Sequence, residues 1–567
     1  MNTKWPIVVA LTAVFLSARP ARAEEPRDWE TEARSRHAQI EAVIKESRTG
    51  YDAFDTGSLG DTTLEMIPFV VFRALQELEP EVFSDEALAS FGFFRRTDTP
   101  TRLNGVTWTR PVAAEGGFQL RYMTRTCASC HTGRVRLEDG TVQLLTGGTN
   151  SEMNLHRFIG RLTSLFKERL GPSNDSPAYM EFRKWMMETL EEKPPEWYWG
   201  VNSPLVSKGD AAREVATVKD NLDAILETMR QMNERRLAGL DLLKRHSYSS
   251  VKNPPSLTDA APGLVETSGL GSTSLVGLVG QDNAATVLPP GPSMADIPAV
   301  WRTEVDGYAN WDATIVGFAR SLTSSLAVVG NPAKIDLKTN AAVQKFIGKL
   351  PAAPYPFAID DQARLRGADI FEKNCAGCHD PHPGRPREAI VFDIGTDPLR
   401  ANAISSTTVE MMKKVLRVAC PPTQAEFHLA DPPLIDPTAK RGYVASALYG
   451  TWAQAPYLHN GSIPTLRQLL VPTLRTQEPF LRGSITYNQR DGGWEWEPHQ
   501  EQQLKAGGEN AIALHDIRKD SFSNRGHGSD ENPFVIDGQG NKVRIAWGNN
   551  EADKIVVDDL IAYLLSL

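Results

Sequence analysis

Cysteine is scarce in this chain, with 5 residues among 567. That density excludes a scaffold held by many disulfides. Positive charge is also short. Lysine and arginine number 61 against 70 acidic residues, a formal net charge of −9. The balance argues against nucleic acid or an anionic membrane surface as partner, and it is compatible with a basic redox partner. Long apolar runs are missing too. No stretch approaches the roughly 20 residues that a transmembrane helix needs, so no membrane span is expected in the mature chain. Short-period repeats are absent, and one short motif is duplicated.

That motif uses four of the five cysteines, in Cys127-Ala128-Ser129-Cys130-His131 and Cys375-Ala376-Gly377-Cys378-His379. Each reads C-x-x-C-H, the attachment signature of a covalent c-type haem. The two thiols add across the porphyrin vinyl groups, and the histidine becomes the proximal iron ligand. A structural zinc site would want two such pairs close in sequence and no adjoining histidine at each. A thioredoxin-like pair would need a βαβ context. The expected cofactors are therefore two covalent haems, with iron bound by His131 and His379. Cys420, in Val418-Ala419-Cys420-Pro421, reads as a buried, inert thiol.

The first residues agree with haem attachment. A short basic start to Lys4, the apolar run Trp5 to Ser17, and Ala21-Arg22-Ala23 form a signal-peptide pattern over 1–23. An uncleaved anchor is the alternative. Attachment to this motif occurs outside the bacterial cytoplasmic membrane, so a periplasmic or secreted protein is expected. Cleavage removes Lys4, Arg19 and Arg22 and no acid, taking the charge from −9 to about −12.

Beyond the signal, three parts are expected: 24–170, an N-terminal haem domain with a charged helical arm on its surface over 24–50; 171–353, a helical connection; and 354–567, a C-terminal cytochrome c domain. The fold class expected is mainly α: two cytochrome c-like haem domains, long loops and a few short β-hairpins. A hairpin is expected over 134–145, with Asp139-Gly140 at its turn. Helical periodicity runs from Asn154 to Phe166 and, with Val215, Val218, Leu222, Ile225, Met229 and Met232, from Lys208 to Arg245. Proline, glycine, serine and threonine over 250–295 predict a long loop. A closing helix is expected from Glu551 to Leu567, with Ile555, Leu560, Ile561, Leu564 and Leu565 on its apolar face.

The block Gly450 to Leu466 (GTWAQAPYLHNGSIPTL) resembles the "APY-x-H-[ND]-G … TL" element of the bacterial di-haem cytochrome c peroxidase superfamily. Asp393 to Pro398, Pro479 to Ser484 and Ser523 to Gly528 are similar to the branch that contains the di-haem rubber oxygenases. The resemblance covers most of 80–567, most strongly the last 200 residues. It implies a haem oxidoreductase and leaves the substrate open, because the fold hosts several chemistries. It also implies an aromatic residue at Phe371 packed on the closing helix.

Haem chemistry is set by the far side of the iron. His527, in a glycine-flanked loop, is the expected distal ligand of the C-terminal haem, with a solvated loop histidine as the alternative. His459 is the rival ligand; by resemblance it instead lies near that haem without binding iron and hydrogen-bonds in its environment. For the N-terminal haem, His156 is a candidate ligand or an ordinary helix residue, Met153 lies beside it, and the oxygenase branch leaves this iron open. The resemblance implies an inter-haem tryptophan acting as an electron relay, and Trp311, in preference to Trp301, is the candidate; either is otherwise a packed aromatic. His37, His246, His382, His428, His499 and His515 read as surface residues. The expectation is an exported di-haem oxidoreductase with a reactive haem at His131, acting on peroxide or dioxygen or serving a redox partner protein. A pure electron carrier with two six-coordinate haems is the alternative.

Overall fold

A computed structural model describes residues 28–99, 102–113, 118–199, 207–258, 260–303, 308–379, 391–427, 429, 434, 442–498, 514–537 and 540–567. The signal-like segment lies outside them, as do His382, His428 and His499. The chain is mainly helical, and among the described residues the strands form nine two-stranded antiparallel pairs. No described helix is long and apolar enough to cross a membrane.

The second motif ends a helix that crosses the C-terminal one. Asp360 caps the helix Asp361–Asn374 by accepting from Gln362 N and Ala363 N at 2.8 and 3.1 Å. Asn550 caps Glu551–Ser566 through Asp553 N at 3.0 Å. The crossing point is Gly367, where an added Cβ would stand 1.9 Å from Asp559 O. Only glycine allows so close an approach. Arg366 closes on Asp559 through two hydrogen bonds of 2.8 and 2.7 Å, and Phe371 packs on Tyr563 with ring centroids 5.1 Å apart. The closing helix buries Val557, Leu560, Ile561, Leu564 and Leu565. Ile555, expected on that face, is 63% exposed; the helical period puts Val557, not Ile555, in line with Ile561 and Leu564.

Strands flank the first motif. Val106–Trp108 pairs with Met123–Arg125 just before it, and Thr132–Arg136 with Val142–Thr146 just after it. Gly105, at φ +74°, backs onto the motif turn, where a Cβ would meet Ser129 Cα at 2.2 Å. The helix Leu155–Leu170 follows, capped by Asn154. Its residues Phe158 and Leu162 share a buried cluster with Val215, Val218, Leu222, Ile225 and Met229. Those come from two helices, Lys208–Asp220 and Leu222–His246.

Two expectations are corrected. Residues 250–295 are not one long loop, since they contain the helix Thr267–Val279. Glu266 caps it by accepting from Gly269 N at 3.1 Å, Gly269 backs closely onto Leu243, and Leu275 and Val276 are buried with Leu240 and Leu243. Packing of these small residues overrides their weak helix propensity. The arm, Trp29–Glu46, is not free on the surface. Trp29 is buried and its N–H donates to Asp361 at 3.2 Å, while Arg36 donates to Leu567 O at 2.7 Å. One cluster joins Trp29, Phe54, Val135, Trp301, Phe371, Trp452 and Leu560, so buried packing runs across the segment boundaries expected at 170 and 354.

Leu560→Ala is expected to destabilise the protein by about 2–5 kcal/mol. Ile555→Ala is expected to stay within about 0.5 kcal/mol. Denaturant unfolding of both variants checks the assignment, and equal losses would contradict it.

Candidate haem sites and the network between them

Both motif histidines are held in one manner. His131 Nδ1–H donates to Pro298 O at 3.0 Å, and His379 Nδ1–H donates to Ser446 O at 2.8 Å. An imidazole so anchored turns its Nε2 lone pair outward, the tautomer a metal requires. Burial pulls the His131 pKa down to about 4 against the opposing effect of the Pro298 carbonyl, so the ring is neutral. Burial also pushes the Cys127 and Cys375 thiols up to about 12. The four motif cysteines are unbridged, each pair spanning one turn, Ala128–His131 or Ala376–His379. Paired thiols beside an anchored imidazole are the donor set that a covalent haem uses, and both motifs present it.

The second motif faces another imidazole. The rings of His379 and His527 lie 6.3 Å apart, centroid to centroid, with planes at 43°. Two metal–imidazole bonds of about 2 Å each plus the half-widths of two rings add to about that span. His527 Nδ1 is buried without a hydrogen-bond partner. Burial, then the His379 and Arg475 charges, lower this histidine to about 3. The loop that carries it is left-handed at three successive residues: Gly526 (φ +93°), His527 (φ +52°) and Gly528 (φ +83°). A non-glycine residue held there bears strain of the kind that accumulates at functional positions. Gly526 backs onto Thr396, where a Cβ would stand 2.4 Å from the backbone nitrogen, and His527 N–H donates to Ile394 O at 3.0 Å. Two stretches of the resemblance, 393–398 and 523–528, are thereby in contact.

Between the motifs lie two buried ion pairs. Arg400 meets Asp312 at 2.7 Å and Arg482 meets Asp296 at 2.5 Å. Burial raises the Asp296 carboxyl to about 6, with Arg482 opposing. Each arginine also keeps a buried Nε without a partner, an orphaned donor of the kind that a haem carboxylate satisfies. His459 is buried in this network. Its ring stacks on Tyr443 at 3.9 Å and 14°, with Nε2 3.0 Å from the phenol oxygen. Burial, aided by the Arg400 charge, lowers its pKa to about 3. Its backbone carbonyl accepts from Asp296 N at 2.7 Å.

The two tryptophans differ in placement. Trp301 donates to Thr146 O at 2.9 Å, and its ring fills the space over Gly147 and Gly450. It thus joins the hairpin after the first motif to the segment after Ser446. Trp311, half-buried, donates to Asp296 O at 3.2 Å and accepts from Val444 N at 2.8 Å through its carbonyl. Trp301, rather than the preferred Trp311, spans the two motif segments.

His156 has both ring nitrogens engaged, Nδ1–H donating to Leu257 O at 2.9 Å and Nε2 accepting from Glu266 N at 2.8 Å. That leaves neither nitrogen for iron, and the residue latches its helix to the 257–266 segment. Met153 is fully buried in the adjoining core. His515, expected on the surface, is wholly buried between Phe480 and Phe522, with both ring nitrogens unpartnered. It pairs with Phe480 in a short ladder, a long-range contact that composition does not reveal. His37 and His246 are exposed and Cys420 is buried, as expected. Pro298, Ser446, Arg400 and Tyr443 carried no sequence signal, whereas Arg482 lay inside a stretch of the resemblance.

A family profile described as RoxA-like, cytochrome c-like matches residues 442–478. That span holds Tyr443, Ser446, His459 and Arg475, and it supports a cytochrome c of the rubber-oxygenase-like branch, with covalent c-type haem and a redox function. The uncharacterized protein y4iM of Sinorhizobium fredii is 34% identical over 388 residues, 62% of this chain and 87% of that protein. Its uncharacterized companion y4iJ is 23% identical over 526 residues, 80% of this chain and 79% of its own length.

Removing one partner of a buried ion pair strands the other charge. Asp312→Ala is therefore expected to destabilise by about 3–5 kcal/mol in denaturant unfolding. A loss below about 1 kcal/mol would match an exposed pair instead.

Proposed function

From the premise that this chain belongs to one family with the rhizobial protein y4iM and carries a RoxA-like cytochrome c segment, we propose that it is an exported di-haem c-type oxidoreductase. The reactive haem is the one at His131, and its substrate is peroxide or dioxygen. One observation carries the reading: His379 faces a second imidazole, whereas among the described residues His131 makes no ring contact. When bound, haem iron supplies one-electron chemistry and, at an open axial position, a place for a small oxidant.

The residues divide the work accordingly. His379 and His527, whose rings face each other, would hold the C-terminal haem between them, which suits storing and delivering an electron. His131, neutral and anchored on Pro298, would hold the N-terminal haem through Nε2, and among the described residues no second imidazole faces it. Arg400 and Arg482 would offer their unpartnered Nε–H groups to the haem carboxylates. Trp301 is the relay between the sites, because among the described residues it touches both the hairpin after the first motif and the segment after Ser446. A redox partner supplies electrons, and the net negative charge favours a basic one.

Haemochrome assay and EPR of the oxidised protein test the assignment together. Two haems per chain are expected, falling to one in Cys130→Ala or Cys378→Ala, with one high-spin and one low-spin ferric signal. His527→Ala is expected to turn the second signal high-spin. Two low-spin signals that ignore cyanide and peroxide would make the protein an electron carrier instead. Trp301→Phe is expected to slow electron exchange between the haems in flash-reduction measurements, while Trp311→Phe leaves it unchanged. The reverse pattern would return the relay to Trp311.

A further inference from the structure

Arg475 is buried, 9% exposed, yet among the described residues it forms no ion pair. Its donors all turn to backbone carbonyls. Nε donates to Gln468 O at 3.2 Å and Nη2 to Leu469 O at 3.1 Å. Nη1 donates to Asn524 O at 3.1 Å and Gly526 O at 2.9 Å, and Nη2 reaches His527 O at 3.5 Å. The five N–H groups of one guanidinium thus join two segments, 468–469 and 524–527. A buried cation with no ion pair, offset only by the charge of Asp530 beyond contact distance, is costly, and its site here is the loop whose carbonyls are turned inward by left-handed residues at Gly526, His527 and Gly528. The loop is also tied by His527 N–H to Ile394 O at 3.0 Å and Asn524 Nδ2 to Thr476 O at 2.8 Å, and at its start Ser523 O accepts from Asn460 Nδ2 and Ser462 Oγ at 3.0 and 3.1 Å. Among the described residues, however, no side chain other than Arg475 gathers the carbonyls of 524, 526 and 527.

We propose that Arg475 is a positioning residue, which clamps the 524–527 loop in the conformation that holds His527 opposite His379. This rests on the reading of His527 as an iron ligand. The planar five-donor fork is the feature that matters, because lysine offers three donors from one point and glutamine two. Without the fork the strained loop relaxes, and the imidazole moves away from the facing ring.

The test compares the holoprotein with Arg475→Gln, Arg475→Lys and His527→Ala by EPR and optical spectra, at unchanged haem content. Arg475→Gln is expected to turn most of the C-terminal haem high-spin, and added imidazole to restore the low-spin signal. Arg475→Lys is expected to give a mixture. A low-spin Arg475→Gln beside a high-spin His527→Ala overturns the proposal alone. A low-spin His527→Ala overturns the ligation reading and this proposal with it. Should Arg475→Gln yield no haem-loaded protein, Arg475→Lys decides: a wild-type spectrum overturns the proposal, and an imidazole-sensitive mixture supports it.

Discussion

A backbone carbonyl anchors each motif histidine, and much of the architecture follows from that constraint. An imidazole binds a metal through Nε2 only when neutral, and a hydrogen bond from its Nδ1–H fixes the tautomer and orientation for that. Pro298 O does this for His131 and Ser446 O for His379. Both carbonyls lie far in sequence from the motifs they serve. Each must be brought up by tertiary packing, and Trp301 couples the two events: it sits three residues past Pro298, and its ring rests on Gly450, four residues past Ser446. The buried cluster around it takes in the arm, both motif segments and the closing helix. Positioning of either histidine is therefore tied to positioning of the other.

The ion pairs between the motifs cost desolvation, and such pairs are poor sources of stability. Their retention is better understood through what they leave open. Arg400 and Arg482 each satisfy an aspartate and still keep one donor unpartnered. Asp312 adjoins Trp311, whose indole donates to Asp296 O, and Asp296 N donates to His459 O. Charges, aromatic rings and backbone form one connected network in a medium of low dielectric, where each member constrains the others.

Much of the fold was legible from local pattern. The hairpin after the first motif, the helix from Asn154 and the closing helix follow from turn residues, capping residues and periodicity. His527 was legible as well, because paired glycines around a histidine mark unusual backbone, and the structure sets it facing His379. The helix over 267–279 was not, since its small residues read as loop until packed on Leu243. Nor was the burial of His515, which depends on Phe480 and Phe522 closing over it. Trp301 and Trp311 looked alike as aromatic residues of one connection, and only their neighbours separated them.

The sequence by itself determined the donor set of each motif, because covalent haem attachment needs two thiols and an imidazole at one short, local spacing. It also marked His527, between two glycines, as a histidine in unusual backbone. Tertiary structure alone decided which carbonyls hold the motif histidines, which arginine gathers the His527 loop and which tryptophan spans the gap. The reason is physical: a backbone carbonyl is chemically the same at every residue, and 61 cationic side chains look alike in sequence. Folding selects among them by burying a few where their hydrogen bonds can be met only in one geometry.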